Sequence, residues 1–393
     1  MSLRVLVSPS GFKGCLDPEH VASAIATGLR RASDTVEVRE LPLVDGGEGT
    51  AATLARVTAG ELRPARVTGP LGEPLDASFA MLGGADRGTA VVELAAAAGL
   101  SHVPRERRDP MRTTTRGVGE LILAALDAGA SRVIVGCGDS GVNDGGAGLA
   151  QALGVRLLDR RGEDVPGGGL GLAELDRIDL AGRDPRLARV PMEVACNIEN
   201  VLTGPRGVAR IFGPQKGASE EDVRAMEAAL DRFAGVVERD CGVDVRLMPG
   251  GGASGGAGAG LHALVGATLK SRFDVLFPFH QVDEAVAWAD LIVTAEGGLD
   301  YKSVRGKIPS EMGRRGAAAG KAVIVLAGTL GERSGEVLDE GVCAYFSVIG
   351  RPQSLEDAMR DVEEQLGRSA EQMLRTFLAG AALGRRQTGG SRD

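Results

Sequence analysis

Glycine-rich segments that carry acids, amides, hydroxyls or a lysine directly among their glycines run along the whole chain. They are Gly11-Phe12-Lys13-Gly14, Asp45-Gly46-Gly47-Glu48-Gly49-Thr50, Ser140-Gly141-Val142-Asn143-Asp144-Gly145-Gly146, Gly213-Pro214-Gln215-Lys216-Gly217, residues 249–260, and Glu296-Gly297-Gly298-Leu299-Asp300. Glycine lets backbone N–H groups approach an anion closely, and a carboxylate beside it can hold a metal or take a proton. Repeated pairings of this kind suit a site that handles phosphate and Mg2+, and so point to phosphoryl transfer. Lysine usage agrees: only six of the 45 basic residues are lysine, and Lys13, Lys216, Lys302 and Lys307 lie in or beside these segments. A compact ammonium on a flexible stem serves a phosphate oxygen as a point charge.

The elements that must position these residues follow from periodicity. Leu3-Arg4-Val5-Leu6-Val7-Ser8 reads as a buried strand, followed by a helix in which Val21, Ile25, Gly28 and Leu29 share a face. Asp17 is its expected N-cap, with Pro18 at the first helical position. A second strand, residues 36–41, runs towards the Asp45 motif. Towards the C-terminus, Leu291-Ile292-Val293-Thr294 leads to Glu296, with further strands at 323–327 and 344–349 and a last helix over 356–378. Strands alternating with helices predict a parallel, doubly wound sheet, whose ligands bind at the carboxyl ends of its strands.

Between these halves the texture changes to a Pro/Gly-turned β region (67–82, then 91–93), Ala-rich helices and a buried strand, Val133-Ile134-Val135-Gly136. Residues 250–260 are too rich in glycine for a regular strand or a stable helix start. The expected organisation is one α/β domain over 1–62 and 282–380, a second α/β domain over 63–281 inserted into it, and a tail at 381–393.

With 393 residues, 43% hydrophobic and 25% charged, the chain is long enough for two domains of ordinary soluble composition. A net charge of −8 argues against nucleic acid as the main partner. The five cysteines are widely spaced without a C-x-x-C pair, which suggests reduced thiols and a cytoplasmic protein. No apolar run approaches membrane-spanning length, so no membrane partner is expected.

The same motifs, in the same order, resemble those of the type I glycerate kinases, bacterial enzymes that phosphorylate D-glycerate with ATP. The resemblance runs from Phe12-Lys13-Gly14 through Asp45-Gly-Gly-Glu-Gly-Thr, Thr113-Thr114-Thr115, Asn143-Asp144-Gly-Gly, Leu202-Thr203-Gly204-Pro205, Phe212-Gly-Pro-Gln-Lys-Gly217 and Pro249-Gly-Gly-Gly to Gly306-Lys307-Ile308-Pro309. It implies a flavodoxin-like domain carrying an inserted α/β domain. It also implies an ATP-dependent kinase that acts on the C2 hydroxyl of glycerate, with Mg2+, as a monomer or homodimer.

Residue by residue, the resemblance makes Lys13, Asp45 and Asp300 the expected catalytic groups, with Asp45, Asp300 and, as a reserve, Glu296 as Mg2+ ligands. Ser140, Asn143, Asp144, Glu48 and Lys302 are the expected substrate contacts. Lys216, Gly250, Gly251, Gly252, Gly255 and Lys307 are the expected nucleotide contacts. Simpler readings stand beside these: Asp45 and Glu48 as turn acids, Asn143 and Asp144 as caps of the next helix, Lys13 as a surface residue, residues 250–260 as a linker.

The chain departs from the family inside its motifs. The usual P-D-S-F-K-G is Pro9-Ser10-Gly11-Phe12-Lys13-Gly14, and G-E-G-R-I-D-x-Q is Ala295-Glu296-Gly297-Gly298-Leu299-Asp300-Tyr301-Lys302. These changes point to altered acceptor choice. They leave open a different polyol or hydroxy acid, or a ligand-binding relative with weakened catalysis.

Overall fold

The computed structural model describes residues 2–301 and 306–389, and its chain divides into two compact units. The first is Met1–Val44 together with His280–Asp393; the second is the unbroken segment Asp45–Phe279.

The first unit opens with β1 (Leu3–Val7) and β2 (Val36–Glu40). The second contains β3 (Glu61–Thr68), β4 (Pro74–Met81), β5 (Thr89–Glu93), β6 (Arg132–Gly136), β7 (Arg156–Leu158), β8 (Arg177–Asp179), β9 (Met192–Cys196) and β10 (Thr268–Ser271). The first unit then resumes with β11 (Leu291–Leu299), β12 (Ala322–Leu330) and β13 (Ala344–Ser347).

In the first unit all five strands are parallel, in the order β13-β12-β11-β1-β2. Counted along the chain within this unit that is 2-1-3-4-5, the flavodoxin-like order, and the direction of winding reverses between β1 and β11. Val5, Leu6, Val7, Leu291, Ile292 and Val293 are fully buried, as expected of parallel strands covered on both faces. The helix Pro18–Ala32 starts as its sequence predicts, Asp17 accepting from the His20 N–H at 2.9 Å. Its Gly28 lies against the helix Val362–Gly389: a Cβ there would come within 2.0 Å of the Gly367 carbonyl oxygen. That close approach requires glycine. The last helix runs to Gly389, beyond the residue 378 expected from periodicity.

The second unit has a mixed six-stranded sheet, β10-β9-β6-β5-β4-β3. β10, β9, β6 and β5 are parallel, and the hairpin β3–β4 closes one side antiparallel. β7 and β8 form a separate antiparallel pair. The first division of the chain falls after Val44 rather than after residue 62, because the helix Thr50–Val57 buries Ala51, Leu54 and Ala55 with Ala80, Leu82, Val91, Ile134, Ala195, Val275 and Leu276. The second falls after Phe279 rather than after residue 281.

Residues 250–260 are not an open linker. They turn at Gly250 and become helical over Ala253–Gly260, with a kink at Ser254, Gly255 and Gly256, all at positive φ. The polar strand β10 follows the helical turn Leu261–Val265. Its backbone completes the ladder beside β9, with Thr268 opposite Glu193 and Ser271 opposite Cys196.

Candidate active site

Four parallel strands of the second unit end in one row. Glu93 pairs in register with Gly136, Gly136 with Ala195, and Cys196 with Ser271, which Arg272 follows. The loop Asp45–Thr50 lies across this row. At Gly46, which has φ +86°, an added Cβ would sit 3.1 Å from the Ala195 carbonyl oxygen and 3.4 Å from the Cys137 nitrogen. The backbone of the loop therefore rests directly on the ends of β6 and β9.

Three side chains hold it. At its start, Arg272, only 7% exposed, donates to the Asp45 carbonyl at 3.0 Å and to Asp45 Oδ2 at 2.8 Å. In the middle, the Glu48 N–H donates to Asp139 Oδ2 at 3.2 Å. At its end, Glu93 accepts from the Gly49 N–H at 3.3 Å and the Ala51 N–H at 2.5 Å. Gly49 is the N-cap of the helix Thr50–Val57 and has no side chain to serve the free N–H groups, so a residue distant in sequence does so.

Glu93 is 6% exposed. Burial pushes its carboxyl up to about 7; the Ala51 and Gly49 N–H groups oppose this, while the nearby charges of Glu48 and Asp139 add to it. Asp45 remains half-buried and Glu48 exposed, its Oε1 accepting from Ser101 Oγ at 3.4 Å.

The segment Ser140–Gly146 is built differently. Asp144 is completely buried. Its Oδ2 accepts from the Thr115 N–H and Oγ1, both at 2.8 Å, and from the Gly148 N–H at 3.2 Å; its Oδ1 accepts from the Gly146 N–H at 3.1 Å. It thus caps the helix Ala147–Ala152 and ties it to the start of the helix Arg116–Asp127. Burial raises its pKa against these bonds.

Lys216, 2% exposed, points its ammonium inward to Val142 O at 2.6 Å and Ser140 Oγ at 3.0 Å. Burial pushes it down to about 7, with Asp144 pulling the other way. Asn143 is also fully buried, and neither its Oδ1 nor its Nδ2 has a partner among the described residues. Gly250, Gly251, Gly252 and Gly255 are buried as well: a Cβ at Gly252 would be 2.1 Å from Val201 O, and one at Gly255 2.1 Å from Val142 O. These glycines let the segment pack onto neighbouring backbone.

In the first unit the remaining candidates lie at the ends of β1 and β11. Lys13 is exposed on a turn closed by the bridge Phe12–Leu16. Ser10, at the position where the family has an acid, donates from Oγ to Ala295 O at 3.0 Å. β11 continues to Leu299, opposite Leu330, so Glu296 and Gly298 lie within the ladder and Asp300 just beyond it. Glu296 Oε1 pairs with Lys307 Nζ at 2.5 Å, which brings two of the sequence candidates together. Lys302 lies outside the described residues.

Sequence reasoning did not single out Glu93, Asp139 and Arg272, the residues that hold the loop Asp45–Thr50. Glu93 had a signal, as a lone acid ending an apolar strand in a sheet whose strand ends bind ligands. Arg272 had none, since its partner is 227 residues away.

This arrangement is that of a two-unit α/β phosphotransferase. Residues 5–378 match the model of the Glycerate kinase family, and the chain belongs to that family. It is 41% identical to the Glycerate 2-kinase of Escherichia coli K12 over 387 residues, covering 98% of this chain and all of that protein. It is 42% identical to the Glycerate kinase of Bacillus subtilis 168, over 94% of this chain and 96% of that one. The crystal structure of a protein described as glycerate kinase 2 from Salmonella typhimurium LT2 superposes with a TM-score of 0.76 at 40% identity, over 97% of this chain and 99% of that one.

Proposed function

We propose that the protein transfers the γ-phosphoryl group of ATP to the C2 hydroxyl of D-glycerate, forming 2-phosphoglycerate and ADP. The observation that carries this is end-to-end similarity to a Glycerate 2-kinase, 41% identical over 98% of this chain. In this reading the Lys13 ammonium offsets charge on the transferred phosphoryl group, and Asp300 accepts the proton of the attacking hydroxyl. Asp45 and Glu48, on the loop across the strand ends, face the reacting groups. Asn143 contacts the acid, because a buried carboxamide with no partner among the described residues costs a few kcal/mol unless a ligand satisfies it.

Among the described residues no group of three or more acidic, histidine or cysteine side chains could hold a metal alone. Mg2+ brought by the nucleotide takes one or two protein carboxylates beside phosphate oxygens and water. Asp45, Asp300 and Glu296 are the carboxylates we propose for it. When bound, the ion neutralises charge on the β- and γ-phosphates.

The test is phosphorus NMR of the product formed from ATP, Mg2+ and D-glycerate, with a panel of other hydroxy acids and polyols in parallel. A phosphate ester at C2 is expected. A C3 ester, turnover only with another acceptor, or no turnover would overturn the assignment.

A further inference from the structure

We propose that Glu93 is a positioning residue for the reaction: from the end of β5 its carboxylate holds the Gly49 and Ala51 N–H groups, and so sets where the loop acids Asp45 and Glu48 point. The inference rests on the function proposed above, in which that loop faces the reacting groups.

The loop has three anchors, and only one of them acts at its C-terminal end. Arg272 holds Asp45 and Asp139 holds the Glu48 N–H. Beyond Glu48, the local backbone bonds reaching back into the loop are Thr50 N–H to Gly47 O at 3.3 Å and Thr53 N–H to Gly49 O at 3.0 Å, and neither uses the Gly49 or Ala51 N–H. The two bonds to Glu93 supply what remains. They also replace the cap that Gly49 cannot provide, on a helix of only 8 residues.

A cap alone would not need a carboxylate in this place. A local Ser or Asp at the N-cap serves the same N–H groups near solvent. Here an acid is buried at the end of an interior strand, beside the like charges of Glu48 and Asp139. Arg272, which follows β10, is bound to Asp45 at the opposite end of the loop. Such a costly placement is accounted for by what it does to the loop.

The ionised carboxylate accepts both N–H bonds fully, whereas its protonated form gives up acceptor strength on one oxygen. With its carboxyl pushed up to about 7, Glu93 tightens the loop as pH rises through that value. Global stability runs the other way. The folded pKa lies above the ordinary 4.5, so the folded state holds an extra proton between about 4.5 and 7, and stability falls as pH rises through that window.

The test is Glu93→Gln on the full chain, read in two independent ways. First, D-glycerate phosphorylation is measured from pH 5.5 to 8.5. The unmodified protein should show an acid limb in kcat/KM with a midpoint near 7, and the variant should lose that limb. At pH 8 its kcat should fall about 100-fold, the usual cost of displacing a reacting group by an ångström. Second, amide hydrogen exchange is followed for the peptide spanning residues 45–51, corrected for intrinsic rates, with the helix Arg116–Asp127 as internal control. Protection should fall about tenfold in the variant, and in the unmodified protein between pH 8 and pH 6.

If D-glycerate is not phosphorylated at all, the function proposal fails and the exchange measurement still decides this one. Unchanged loop protection overturns it, whether or not turnover falls. If the variant does not fold, the pH comparison of the unmodified protein decides alone.

Discussion

Two glycine-rich loops of the inserted unit use the same residue types in opposite ways. The loop Asp45–Thr50 is held from outside, by Arg272, Asp139 and Glu93 at the ends of three strands, and its own acids stay half-buried or exposed. The segment Ser140–Gly146 has turned its polar groups inward: Asp144 binds four donors and Lys216 reaches Ser140 and Val142 from within the core. An acid among glycines thus stays partly exposed where distant residues hold its loop, and becomes a structural group where it holds the loop itself.

The largest effects should come from exchanging the two acids. Asp144→Ala leaves four buried donors without an acceptor and Lys216 without its neighbouring charge. It should destabilise the protein by about 3–5 kcal/mol in urea unfolding. Asp45→Asn should cost only about 1–2 kcal/mol, since Arg272 keeps a carbonyl acceptor, yet reduce phosphorylation at least about 1000-fold. Similar stability losses for both, or a fully active Asp45→Asn, would erase the contrast between the loops.

An intermediate effect is expected at Lys216. Its folded pKa lies near 7, below the ordinary 10.5, so the folded state has released a proton that the unfolded chain still holds between those values. The group therefore adds stability as pH rises from about 7 towards 10, by at most about 1.4 kcal/mol per pH unit. Lys216→Met should remove that rise, read as the difference between the two urea-unfolding curves against pH. Parallel curves would mean that the lysine titrates as if in water.

The smallest effect concerns Glu48, whose charge helps to raise Glu93. Glu48→Gln should leave stability within about 0.5 kcal/mol and shift the acid limb of kcat/KM down by about 0.3–0.5 pH unit, as expected for one partly screened charge. An upward shift would contradict the direction of that coupling.

Much of the framework was legible in the chain. Apolar runs marked β1, β11 and β12, and Asp17-Pro18 marked the start of a helix, because both signals are local. What was not legible depends on pairing across the fold. β10 is polar and short, and it is a strand only because β9 offers it a ladder. β11 runs on through Gly297 and Gly298 because β12 continues alongside as far as Leu330. Asp144 reads locally as a helix cap, and it does bind the Gly146 N–H. The bond to Thr115 and the nearby lysine come from segments that no local pattern connects to it. Glu93 reads locally as the polar end of a strand, and its bonds depend on a distant loop that has no side-chain cap of its own.

The insertion also sets an order of events on the ribosome. The core strand β1 needs β11 beside it, Val5 opposite Leu291, and all of Asp45–Phe279 is made between them. Two parallel strands cannot stand alone, so the N-terminal segment emerges and waits, on the order of ten seconds or more at ordinary synthesis rates. The inserted unit is contiguous and finishes first. The first-made part of the chain is therefore the last to be completed, and its apolar strand edge is the surface a nascent-chain chaperone would have to cover.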